Sequence, residues 1–184
     1  MLKKYFLAIV CAAGLACATL AHPVSAAEGD VAVAADVDPD QAELDALQAQ
    51  IEQLIVDNAN DPEALKAAIE AFVAASAKPE LAAKAVVAAL THPKSQAAIA
   101  ALSANAQLKV AAGEGLGAAI ATIALTNPDA AAAMQASVAA SGDTSLASAV
   151  STGTESKTAT LRQQQSQKQQ EAKDTTPETP ISAE

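Results

Sequence analysis

Aromatic side chains are almost missing from this chain. It has two Phe, one Tyr and no Trp in 184 residues. Tyr5 and Phe6 lie close to the N-terminus, so Phe72 is the one aromatic residue beyond that region. Cysteine is equally scarce. Cys11 and Cys17 are the two thiols, and everything after them is without a disulfide, a thiolate nucleophile or a cysteine metal ligand. Histidine occurs at His22 and His92 only. A zinc site needs three or four His, Cys or carboxylate ligands at regular spacing, and no such set is written here. Positive charge is short as well, with 11 Lys and Arg against 21 Asp and Glu and a net charge of −10. From Glu28 to Glu63 there is no basic residue at all. Nucleic-acid binding requires clustered Lys and Arg, so that class is excluded.

Catalysis therefore has little to work with. His92 stands beside Pro93 with no cysteine in the chain near it and no carboxylate adjacent in sequence to orient it. It reads as a surface histidine in a turn. Acidic pairs such as Glu43 and Asp45 read as solvated helix faces. We expect no enzyme, no catalytic, cofactor-binding or metal-binding residues, and no cofactor.

Met1 to Ala26 reads as a secretory signal peptide. Lys3 and Lys4 form the positive start, Tyr5 to Leu20 the apolar run, and Val24-Ser25-Ala26 the small residues of a cleavage site. Cleavage is expected before Ala27. The alternatives are a lipoprotein anchored at Cys17, with Gly14-Leu15-Ala16-Cys17 as a loose lipobox, and an uncleaved anchor. The expected location is periplasmic or extracellular.

Alanine then dominates, and prolines cut the alanine-rich stretch into pieces. Asp61-Pro62-Glu63, Lys78-Pro79-Glu80, His92-Pro93-Lys94 and Asn127-Pro128-Asp129 each read as a helix start. Proline suits the first helical position because its missing N–H has no partner there anyway. Asp61 and Asn127 supply side-chain oxygens that cap free amides, and Glu63 and Asp129 place negative charge on the positive end of the helix dipole. Lys78 and His92 are poor caps, which leaves those two boundaries weaker. Asn105 reads as a further start without its proline. Leu65, Ile69, Phe72 and Val73 make one helical stripe, Leu116, Ile120 and Ile123 a second, and Met134 with Val138 a third. Phe72→Ala is expected to cost about 3 kcal/mol if Phe72 is central.

The fold class expected from this pattern is all-α. Short antiparallel Ala-rich helices, about six of them over residues 41–142, are expected to stack as a degenerate helical repeat. Residues 27–40 read as an acidic linker and residues 143–184 as a disordered Ser/Thr/Gln-rich tail, because the tail has almost nothing to bury. Gln41 to Val56 reads as an amphipathic helix, with Leu44, Leu47, Ile51, Leu54 and Ile55 in 3-4-3 spacing. It is too short for a sustained coiled coil and is expected to dock on its own chain.

Two motifs match by letter only. Asp36, Asp38 and Asp40 open like a calcium loop, but Gln41 stands where glycine is required and Leu47 where the bidentate glutamate belongs. Gly113-Glu114-Gly115-Leu116-Gly117-Ala118 matches a dinucleotide fingerprint without the strand that must precede it. The three glycines are expected to break a helix or to admit another backbone closely. The function expected from all this is an exported, non-enzymatic helical protein with a structural or protein-interaction role in the cell envelope or outside the cell. Its partner is expected to be an envelope or surface protein. The alternative is a membrane-surface or lipid-associated amphipathic-helix protein, which would want Lys and Arg on the polar faces rather than acids.

Overall fold

The computed structural model describes residues 39–174. The signal-peptide reading, most of the acidic linker and residues 175–184 lie outside the described residues. The fold is all-α, with seven helices and no strand among the described residues. They are α1 (Pro39–Asp57), α2 (Pro62–Ala75), α3 (Pro79–Thr91), α4 (Gln96–Ala104), α5 (Ala106–Ile123), α6 (Pro128–Ala140) and α7 (Thr144–Asp174).

Local chemistry sets most of the helix starts. Asp61 Oδ1 accepts from the Ala64 amide at 3.0 Å, and Asn127 Oδ1 accepts from the Ala130 amide at 3.0 Å. Asn105 Oδ1 accepts from the Gln107 amide and opens α5 without a proline. α3 starts at Pro79 even though Lys78 gives no side-chain cap. The weak start at His92-Pro93 is not a start. His92 instead ends α3, and α4 begins four residues later, after Ser95. α1 begins at Pro39, two residues before Gln41, so Asp40 sits in its first turn.

The predicted stripes form the core. Leu65, Ile69 and Val73 of α2, Leu116 and Ile120 of α5, and Met134 of α6 are fully buried or nearly so. Ile51 and Ile55 carry α1 into the same cluster, with Leu44, Leu47 and Leu54 packed at its edge. α1 therefore docks on its own chain, mainly against α3 and α4. Phe72 is also an edge residue, only partly buried. Its neighbours Ile69 and Val73 take the central places. The expected cost of Phe72→Ala falls accordingly to about 1–2 kcal/mol, because only part of the ring leaves water on folding. Urea melts followed by circular dichroism should show that loss, and a loss above about 3 kcal/mol would mean that the ring is buried more deeply than this.

The packing order departs from a linear stack. In an array each unit touches only its sequence neighbours. Here α5 lies between α7 and α2, with its most extensive contact to α7, while α3 packs on α1 and α6. The register is parallel in the central trio. Asn105 Nδ2 reaches the Ala59 carbonyl at 3.4 Å and Glu114 reaches Lys66 at 2.6 Å, so α5 runs alongside α2 in the same direction. Lys109 pairs with Asp143, and the Thr154 hydroxyl donates to the Gly117 carbonyl at 3.1 Å, so α7 runs the same way. Parallel neighbours cannot be joined by short loops, which is why the helices that pack closest are not consecutive.

α7 corrects the expectation of a disordered tail over residues 144–174. It is one helix of 31 residues. Its first half buries Leu146, Ala149 and Val150 against α5. From Arg162 to Gln170 every side chain is exposed.

Candidate functional site

Glycine decides how near α5 can come to its neighbours. A Cβ built on Gly117 would lie under 3.0 Å from Val150 and Thr154 backbone atoms of α7. One on Gly153 would strike the Glu114 backbone of α5, and one on Gly115 the Lys66 carbonyl of α2. Backbone therefore lies against backbone on both sides of α5. The glycines do not break the helix, which runs unbroken from Ala106 to Ile123. They are packing positions, and no βαβ unit surrounds them.

Ion pairs tie the same trio together. Lys66 meets Glu114 at 2.6 Å, Lys157 of α7 meets Glu70 of α2 at 2.6 Å, and Lys109 meets Asp143. The Lys66 ammonium is pushed above its usual value, first by its hydrogen bond to Glu114. The Asp143 carboxyl is held below the usual carboxylate range, first by Lys109 and then by the Leu146 amide, which it caps at 2.9 Å. A depressed carboxyl stabilises the fold above its unfolded pKa of about 3.9 and loses that contribution as pH falls through the folded value. Asp143→Asn should therefore lower stability at neutral pH, with the difference from the parent protein shrinking as pH falls below about 4. Urea midpoints at a series of pH values would show it, and a constant difference down to acid pH would contradict it.

A second polar cluster is buried. Gln48 and Glu52, one turn apart on α1, are 3% and 4% exposed. Glu52 accepts from the Lys94 and Ser95 amides at 2.7 Å each and from Gln48 Nε2 at 2.9 Å. Gln48 Nε2 also donates to the His92 carbonyl at 3.0 Å. Ser95 gives no side-chain cap to α4, and the Glu52 carboxylate instead binds the two amides that precede the helix, fixing the turn that leads into it. These groups bind backbone and hold the turn at residues 92–95. His92 itself is exposed, and no carboxylate orients its ring among the described hydrogen bonds. No cluster of His, Cys, Asp or Glu suited to a metal occurs among the described residues. Asp36 and Asp38 lie outside the described residues.

A shallow groove lies between α5 and α7, lined by Val110 and Glu114 on one side and Thr144, Ser148 and Thr152 on the other. Val110 is 46% exposed, and Leu125 in the α5–α6 turn is 70% exposed. No described helix is long and apolar enough to cross a membrane. The remaining feature is the free half of α7. Residues 161–174 extend about 21 Å at about 1.5 Å per residue. Neither Arg162 nor Lys168 makes an ion pair with a described residue. Sequence reasoning passed over Gln48, Glu52, Arg162 and Lys168, whose roles depend on partners far away in the chain or on the projection of a helix. No protein-family model, curated protein or solved structure matches this chain.

Proposed function

We propose that this chain is an exported, non-enzymatic helical protein with a structural or protein-interaction role in the cell envelope or outside the cell, and that the free half of α7 is its docking arm. The arm is the observation that carries the reading. A helix that is polar all round and buries nothing is marginal alone in water. Residues 162–170 are nevertheless continuous with a firmly packed helix. Such an arm costs little further ordering when a partner covers it. The ionisable groups that are buried or paired support the same reading, because they hold backbone and neighbouring helices. Export rests on the N-terminal reading, with cleavage before Ala27. The partner is a protein, since a net charge of −10 disfavours nucleic acid and anionic lipid.

Photo-cross-linking in intact cells tests this directly. A photoreactive side chain at Gln165 should capture protein repeatedly, and one at Gln53, exposed on α1, should not. Capture should vanish when residues 162–184 are deleted. Failure to capture any protein from Gln165, with tight binding of the purified chain to lipid vesicles, would replace this reading by the membrane-surface one.

A further inference from the structure

The end of the bundle from which the arm projects is acidic, and the exposed stretch from Arg162 to Gln170 carries two cations and no acid. Because α2, α5 and α7 run parallel, the arm leaves the body where α2 and α5 finish. Lys157 is level with Glu70 on α2, so the next turns of α7 pass the α2–α3 connection. Chain continuity places the starts of α3 and α6 at that end, and the pairing of Lys78 with Glu43 at 2.6 Å places the start of α1 there too. Those first turns carry Glu80 and Asp129, and Asp129 is exposed. Leu125 lies at the same end, 70% exposed. Gly113 faces Ala149, and the same register carried to the last residue of α5, Ile123, reaches Ala159, just before the root of the arm.

The arm's cations are not explained by the dipole of their own helix. Charge–dipole stabilisation is confined to about the last turn. Arg162 lies about three turns before the end of α7, and Lys168 also lies outside the last turn. A surface that offers cations, acids and one exposed leucine on the same end is complementary to itself, which is what a two-fold interface demands.

We propose that the arm docks on the acidic end of a second copy of this chain, giving a two-fold dimer in which Arg162 and Lys168 of each arm face Asp129 and Glu80 of the other copy. This rests on the reading of the arm as a protein-docking element and names its partner. The contact is small and largely ionic, so the dimer is weak and salt-sensitive.

Sedimentation equilibrium of the full chain at about 200 μM tests it, in about 50 mM and about 500 mM salt. The expected result is a dimer in low salt that dissociates in high salt. R162E/K168E should raise the dissociation constant about tenfold or more, with unchanged helicity by circular dichroism. R162K/K168R, which keeps the charge, should dimerise like the parent protein. A monomer in low salt overturns the proposal, and so does a dimer indifferent to both salt and R162E/K168E. A monomer that still captures another protein from Gln165 sinks the dimer and leaves the docking arm standing. A monomer that captures nothing sinks both.

Discussion

Gly117→Ala should destabilise the protein by about 3 kcal/mol, against the direction set by helix propensity. In an exposed helix the same change stabilises by about 1 kcal/mol, because alanine is the better helix former. Gly117 is buried against α7. Its new methyl would meet the Val150 carbonyl and the Thr154 amide, which are backbone atoms without rotamers to yield. The helices must separate, and overpacking of this kind costs about 1–3 kcal/mol or more. Separation also weakens the hydrogen bond from Thr154 to the Gly117 carbonyl, which is worth about 1 kcal/mol. Those losses exceed the propensity gain. Gly153→Ala opens the same interface from the other side, so the two changes together should cost less than their sum. Urea denaturation of both single variants and the double variant measures this. A stabilised Gly117→Ala would show that α7 does not lie on α5.

Glu52→Ala should cost about 3 kcal/mol and Glu52→Gln about half as much. The alanine variant leaves the Lys94 and Ser95 amides and the Gln48 side chain without the acceptor they share. Hydrogen bonds to a charged group contribute about 1.5–3 kcal/mol each when buried, and an orphaned donor costs about 1–3 kcal/mol. Glutamine keeps one acceptor oxygen and loses the charge that favours a helix N-terminus. Hydrogen exchange should show the damage first in residues 92–104, where the carboxylate holds the turn that leads into α4. Equal, small losses in both variants would mean that water replaces the carboxylate, and that this corner is open to solvent.

Much of the body was legible because its determinants are local. A proline after Asp61 or Asn127 states a helix start within three residues, and the capping bonds formed as those residue types require. The stripes at Leu65 and Leu116 state a buried face within two turns. Phe72 was over-read: it shares the stripe of Leu65 and Ile69 but falls at its margin, and a stripe does not say where its edge lies. The turn at His92 and Pro93 was misread because the acceptor that fixes it is Glu52, some forty positions earlier. α7 was missed for a similar reason. Its Ser, Thr and Gly composition shows almost no bulky surface, so burial alone could not justify order. What orders its first half is close backbone approach, with Gly117 on one helix and Gly153 on the other. The glycine triplet of α5 marks a place that admits another backbone, but nothing local names the helix that occupies it. The arm's charges carry no periodic signal at all. Their meaning comes from the end of the bundle at which they emerge.

The docking of α7 on α5 is the claim on which the register, the arm and its direction all depend. Hydrogen exchange of the full chain at low protein concentration tests it most directly, read by peptide along residues 144–174. The account predicts amide protection over residues 147–160 comparable to that of α5, falling sharply beyond Arg162 where the helix leaves the body. Uniformly fast exchange from Thr144 to Asp174, with α5 still protected, would contradict it.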